Sequence, residues 1–422
     1  APAAAQDDGW EDDPWGSGSG GGDSGGGAAL PVEIHGFVEF AGASRAVENP
    51  WQNDDFVLGE GRFRLELQHF GDQVSASFKG DVVGDAVAQS TDIDFREGLI
   101  SFTPAKWLDV RAGRQVLTWG TGDFVFLNDL FPKDWVSFFI GRDDEFLKAP
   151  SNAVKLSAFS DIVNLDVVYT PIFEPDRFFD GSRISFFNRG TGGYFSASAP
   201  FAKMNPPREA QNGEWAARLY KTIKGYEVAL YGYLGYGKRP TALDSVSFIP
   251  TYSRLAVYGA SVRGNFLGGV ANLETAYHHS FDDNDGNNPF IPNSELRGLV
   301  GYDRELFANF QLGLQYYVEW TQEYAALIAA SPTPQFEQKE ARHMLTARIT
   351  WRFLRDNLIF STVAFVSPNE KDLYLRPSLT YRFNDQIKLA VGGNILSGDD
   401  DHTFFAQLEE NSNVYVRARY SF

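Results

Sequence analysis

The sequence predicts an all-β protein, a transmembrane up-and-down antiparallel β-barrel of about 18 strands with short periplasmic turns and long extracellular loops. Three observations carry that reading. Apolar and polar residues alternate with period two in segments of about 10 residues, recurring from Val32 to the end of the chain. Short turns and longer polar loops connect the segments in alternation. The chain closes on SNVYVRARYSF, with Val414, Val416, Ala418, Tyr420 and Phe422 on one face of an extended segment and Tyr415, Arg417, Arg419 and Ser421 on the other.

Composition agrees. Among the 422 residues no stretch approaches the roughly 18 consecutive apolar residues of a membrane-spanning helix. A mean hydropathy of -0.28 does not argue for a water-soluble fold, because alternating strands average to such a value. Aromatic residues reach 15%, which suits strands whose ends sit at membrane interfaces. The absence of Cys excludes disulfides and thiolate metal sites, and a net charge of -18 disfavours nucleic acid as a partner.

Residues 1–31 open on APAAAQDDGW, as a processed secreted chain would, and continue in Gly, Ser and Asp. They cannot bury enough apolar surface to offset chain entropy and read as a flexible periplasmic tail. Within them GWEDDPW sets Trp10 and Trp15 in an acidic frame, a candidate docking motif for a periplasmic partner. The barrel is expected over 32–422. Its strands read at 32–43, 56–70, 72–83, 93–103, 107–117, 152–160, 162–170, 214–222 and 225–235. The second half reads at 252–264, 269–279, 296–304, 309–321, 342–353, 356–366, 370–382, 385–395 and 412–422. Alternation is weakest at 93–103 and 356–366. An even strand number places both termini at the short-turn rim.

Which face meets what decides between a soluble and a membrane sheet. In 309–321, Phe310, Leu312, Leu314, Tyr316, Val318 and Trp320 share one face opposite Gln311, Gln315, Tyr317 and Glu319. Following the zigzag, Phe310, Trp351, Tyr381, Tyr420 and Phe422 all fall at the short-turn rim on the apolar face. A soluble core has no reason to ring its aromatics in this way, whereas a bilayer interface does.

The alternating C-terminal strand ending on Phe422 resembles the Gram-negative outer-membrane β-barrel class, in which that ending implies recognition by the barrel-assembly machinery. Membrane lipid and lipopolysaccharide are the partners the resemblance implies. A second likeness is local. In GRQVLTWGTGDFVFLNDLFPKD, residues 113–134, the Gly113-Arg114-Gln115 run, Trp119-Gly120 and the Pro132/Asp134 pair resemble a set of poorly characterised Gram-negative barrels. The Gly-Arg-Gln run and the strand number are also similar to alginate-export barrels. That family implies a strongly basic pore for a polyanion, and this chain is acidic overall.

Inward faces carry the candidate functional residues. Glu33 and Glu39, Arg62 and Arg64, Arg348, Arg376, Arg417 and Arg419 gather around the seam where the last strand meets the first. They read either as ion pairs stiffening the wall or as a charged track orienting solute. The third long loop, 118–151, is expected to fold inward as in general porins, with Asp123, Asp129, Asp134, Arg142 and Asp143 as constriction candidates. Other patterns lead nowhere. The acidic tips DDNDG and GDDD lack the EF-hand spacing, and His278-His279 point to opposite faces of a strand. GTGDF and GTGGY lack the Lys and helix of a phosphate loop, and no nucleophile elbow occurs. The expected function is therefore non-enzymatic and without metal or cofactor: a porin-like channel for small polar or charged solutes. The alternative is the outer-membrane conduit of an export system for polysaccharide or lipid, docked through residues 1–31.

Overall fold

A computed structural model describes residues 32–71, 73–197 and 201–422. Trp10 and Trp15 lie outside the described residues. Eighteen strands form one closed antiparallel sheet in which each pairs with its chain neighbours and the last returns to the first. The first seven are β1 (Glu33–Arg45), β2 (Phe56–Phe70), β3 (Val74–Asp85), β4 (Ser90–Ala105), β5 (Leu108–Val116), β6 (Pro150–Ala158) and β7 (Asn164–Thr170). After the fourth loop come β8 (Glu214–Ile223), β9 (Tyr226–Tyr236), β10 (Arg254–Phe266), β11 (Gly269–Ser280), β12 (Glu295–Phe307) and β13 (Phe310–Thr321). The wall is completed by β14 (Ala341–Phe353), β15 (Leu358–Ser367), β16 (Asp372–Arg382), β17 (Ile387–Gly398) and β18 (Asn413–Ser421).

The alternation read from sequence is realised inside out. Leu230, Leu273, Val300, Leu314 and Val416 are about half exposed, while their strand neighbours Ala229, Glu274, Leu299, Gln315 and Tyr415 are buried. A sheet that shows its leucines outward and buries a glutamate inward is built for hydrocarbon. The chain end is held. Phe422 N and Gly36 N each donate to the other's carbonyl at 3.0 Å, and the Phe422 ring stacks on Phe63 at 6.1 Å. Along the same rim Phe310 meets its register partner Trp351 at 5.5 Å, and Tyr381 meets Phe383 at 4.6 Å.

Two short turns show the hairpin chemistry. Lys224-Gly225 and Leu267-Gly268 both take positive φ at each central residue, the conformation whose twist matches flanking strands. The connectors depart from strict alternation at 86–89 and 368–371, which are as tight as turns although they lie at the long-loop rim. At the first, Asp85 accepts from Val87 N and Ala88 N and closes the chain locally. The weak alternation of β4 has a cause as well: a bulge opposite Lys79 and Gly80 inserts Arg96 between Phe95 and Glu97 and shifts the period.

Loop residues 117–149 turn back into the barrel. Asp134 caps a helix, α1 (Trp135–Ile140), by accepting from Ser137 N, and Gly141 ends it at φ 91°. Phe138 and Phe139 pack on Phe365, Tyr374 and Phe404, so the lumen at this level holds a hydrophobic core. Two small hairpins, Phe186–Asn188 with Gly193–Phe195 and Ala242–Leu243 with Pro250–Thr251, stiffen other loops. A second helix, α2 (Tyr324–Ala330), does the same between β13 and β14. Sequence periodicity does not reveal these pieces, because each is shorter than the window that periodicity needs.

The two faces predict unequal tolerance. Leu314→Arg on the outer face should weaken folding into lipid vesicles by about 2–4 kcal/mol, and Gln311→Arg on the inner face should cost far less. Denaturant midpoints of the folded barrel measure the difference. Equal losses would contradict the assigned faces.

A charge-paired constriction as candidate functional site

The site grows from the register around the closure seam. β1 pairs with β2 so that Glu39 faces Arg62 and Phe37 faces Arg64, and with β18 so that Glu39 also faces Arg419. Asp81 on β3 faces Arg64. Period two then turns all these side chains to the lumen. Asp81 is wholly buried and takes Arg62 Nη1 at 2.6 Å, Arg64 Nε at 2.6 Å and Arg64 Nη2 at 2.8 Å. Arg419 Nε donates to Glu39 Oε2 at 2.8 Å. These pairs stiffen the wall.

The third loop then brings a second set of charges to the same arginines. Asp143 lies 2.8 Å from Arg417 and Asp144 2.7 Å from Arg376. Glu145 reaches Arg64 at 2.5 Å and Arg419 at 2.9 Å. Arg142 runs the other way and donates to Glu60 Oε1 at 3.0 Å. Below them Asp123 pairs with Arg348 at 2.8 Å. The loop acids therefore touch the basic wall and do not stand across a gap from it. Phe146 follows, with its ring centroid 4.2 Å from Arg62, 5.1 Å from Arg64 and 4.9 Å from Arg96. Cations over a desolvated ring gain about 2 kcal/mol or more each.

On the opposite wall the loop is held by bonds of a different kind. Glu274 on β11 accepts from Thr121 N at 2.6 Å, Thr121 Oγ1 at 2.9 Å, Asn128 N at 3.1 Å and Asn128 Nδ2 at 2.9 Å. Gln315 on β13 accepts from Asp123 N at 2.8 Å and donates to Asp123 O at 3.1 Å. Gly120 lies against the carboxylate at φ 91°, where a Cβ would come within 3.0 Å of Glu274 Oε1. Gly113, at φ 128°, has Gly98 O where a Cβ would sit, at 2.1 Å. The motif over 113–134 is thus the root of the third loop: Gly113 and Gly120 permit close approach, and Asp134 starts the helix.

Among the residues singled out from sequence, Glu39, Arg62, Arg64, Arg376, Arg417, Arg419, Arg142 and Asp143 converge on this charge cluster, with Arg348 and Asp123 beside it. Asp129 does not; it bonds Lys133 Nζ at 2.8 Å and Thr118 Oγ1 at 2.8 Å within the loop. Asp134 is occupied by its helix cap and by Arg177 at 3.4 Å. Glu33 sits exposed at the rim, 3.8 Å from His35. Strand parity already marks Asp81 and Glu60 as inward-facing. Sequence reasoning missed Arg96, hidden by its bulge, and Phe146, hidden by its place in a loop.

Burial opposes ionisation of Glu145, yet Arg419, Arg64 and Arg96 hold its carboxyl well below the usual range. Asp123 goes the other way. Burial pushes it up to about 6, Asp303 and Asp144 reinforce the shift, and Arg348 opposes it. Its Oδ1 is buried without a hydrogen-bond partner, which agrees with the upward direction.

No protein-family model matches the chain, and no curated protein matches it. Among solved structures it is similar to OccK10 of Pseudomonas aeruginosa, at 12% identity and a TM-score of 0.52 over 93% of this chain and 99% of that one. It is similar to OccD3 of the same organism at 10% identity and a TM-score of 0.53, over 93% and 91%. OccAB3 of Acinetobacter baumannii matches at 10% and 0.53, over 93% and 99%. At these identities the likeness concerns the fold, which is that of a porin-like outer-membrane barrel.

Asp123 sets a pH dependence of known sign. Its folded pKa lies above the unfolded value of about 4, so the folded state binds the extra proton between roughly pH 4 and pH 6. The stability this contributes is present at low pH and is lost as pH rises through the folded pKa. Asp123→Asn should flatten that part of the profile. Denaturant midpoints of both proteins in detergent between pH 4 and 7 measure it, and parallel profiles would show that Asp123 does not titrate there.

Proposed function

We propose that the chain is a non-enzymatic channel in the outer membrane of a Gram-negative bacterium, admitting small polar or charged solutes through a mixed-charge lumen. The observation that carries the reading is the arginine wall met at contact distance by Asp143, Asp144 and Glu145. The formal charge of -18 resides largely on residues 1–31 and on the loops, where a field is screened within roughly 8 Å at physiological salt. Groups on the inner wall act on a solute at contact and in a less water-like medium, so they dominate permeation. The acidic tip then serves as a counter-charge that a passing anion displaces. Membrane lipid, lipopolysaccharide and, through Phe422, the assembly machinery are the partners this role requires.

Neutralising the tip as Asp143→Asn, Asp144→Asn and Glu145→Gln together should raise single-channel conductance severalfold and move the reversal potential toward anions. Neutralising the exposed mouth residues Asp399 and Asp400 should move it less, because those charges are screened. Planar-bilayer recordings under a salt gradient read both. A larger effect from the mouth pair would remove the constriction from the conduction path.

An export conduit docked through Trp10 and Trp15 makes a different demand. Under the channel reading, deleting residues 1–31 leaves conductance and selectivity unchanged in bilayers and solute uptake unchanged in cells. Loss of polymer or lipid export from cells carrying that deletion, with no change in conductance, would favour the conduit.

A further inference from the structure

Three more arginines meet above the third loop, at the long-loop rim, and none of them belongs to the constriction. Arg342 stands at the start of β14 with its Cζ 5.2 Å from the centroid of Phe404. Arg239, just beyond β9, lies over the same ring at 6.0 Å. Arg189 comes from the fourth loop and donates through Nε at 3.1 Å and Nη2 at 2.9 Å to the carbonyl of His402, two residues before that ring.

What sets them apart is the lack of a counter-charge at contact. Arg64, Arg376 and Arg417 have a carboxylate within 3 Å; among the described residues these three have none within 4 Å. Arg342 is only 7% exposed, its Nε is buried with no hydrogen-bond partner, and its Nη2 reaches only Ser367 Oγ at 3.4 Å. Its register partner Glu319 lies within the field of Arg342 and Arg239 but is engaged at contact by the Tyr317 hydroxyl at 2.7 Å and by Arg297 at 3.6 Å. The other nearby acids are also engaged: Glu337 accepts from Ser331 Oγ at 2.6 Å, and Glu370 from Lys339 N at 3.1 Å. The guanidiniums sense one another. Burial lowers the Arg189 pKa, Glu337 and Glu370 oppose the shift, and the charges of Arg342 and Arg239 lower it further.

Holding like charges together in a desolvated place costs several kcal/mol per ion unless an opposite charge joins them. Guanidinium forks match the oxygens of an oxyanion, and the Phe404 ring shields one side from water. We propose that Arg189, Arg239 and Arg342 form a binding site for a small free oxyanion carrying two negative charges, seated beside Phe404 above the third loop. Occupancy supplies the missing counter-charge and holds a solute at the mouth before it meets the constriction. The site does not depend on conduction: a barrel that binds the anion and passes no current keeps this site and loses the channel reading.

Isothermal titration of the full chain in neutral detergent at pH 8 and low ionic strength, with sulfate and separately with inorganic phosphate, tests it. Saturable binding of one dianion per chain is expected, with chloride competing only weakly. Arg239→Gln should weaken it about tenfold, the loss of one charge-assisted contact. Arg239→Lys should recover part of the loss by keeping the charge without the fork. Arg342→Gln combined with Arg239→Gln should abolish binding, while Asp400→Asn leaves it intact. The Arg239 side chain makes no hydrogen bond to the described residues and its backbone carbonyl, which accepts from Thr241 N, is kept in the variant, so the test stays valid even where the buried Arg342 variant fails to fold. Absence of saturable binding, or binding unchanged in Arg239→Gln, would overturn the proposal.

Discussion

Asp81 is the point on which the inner architecture turns. It is wholly buried and accepts from both Arg62 and Arg64, leaving Arg64 Nη1 to reach Glu145 at 2.5 Å. The same guanidiniums lie over Phe146 and carry the loop tip with them. Removing one partner of such a buried pair costs about 3–5 kcal/mol, because the survivor is left charged and dry. Without that wall the tip has no seat, and the aromatic core around Phe138 and Tyr374 has no lid on the seam side.

The third loop is suspended between unlike supports. Toward β11 and β13 it is held by hydrogen bonds from side chains to its own backbone, Glu274 to Thr121 and Asn128 and Gln315 to Asp123. Those bonds depend on shape and respond little to salt. Toward β16, β18 and β2 it is held by Arg–carboxylate contacts, which respond to charge and to any anion that competes for the arginines. A loop fixed on one side and charge-paired on the other is suited to yield at its tip, 142–146, while its root at 113–134 stays in place. The arginines above Phe404 extend the same logic outward: cations without a carboxylate partner at the mouth, cations with one at the constriction.

Much of this is legible in the sequence. All eighteen strands were readable because lipid on one side and packed side chains on the other impose a strict period of two, and most predicted ranges differ from the observed ones by a residue or two. The seam arginines were readable for the same reason, since Arg417 and Arg419 share parity with Tyr415 and Ser421. Asp129 and Asp134 look alike to a sequence reader and are used differently, one bonded to Lys133 inside the loop and the other spent on a helix cap. Loop chemistry carries no period, so the partner of an acid in a loop is set by where the loop goes.

The sequence by itself determined the barrel, its strand number, its inward and outward faces, the aromatic ring at the short-turn rim and the basic side of the seam. Each follows from local alternation repeated along the chain, and none requires knowing which distant residues meet. Tertiary structure alone decided that the acids of the third loop touch the arginine wall, and that Arg189, Arg239 and Arg342 converge on Phe404 without a carboxylate at contact. Those contacts join residues as far apart as Arg142 with Glu60 and Arg376 with Asp144. Such pairings arise from the curvature of a closed sheet, which brings a loop from one wall against the other, and no stretch of sequence records that distance.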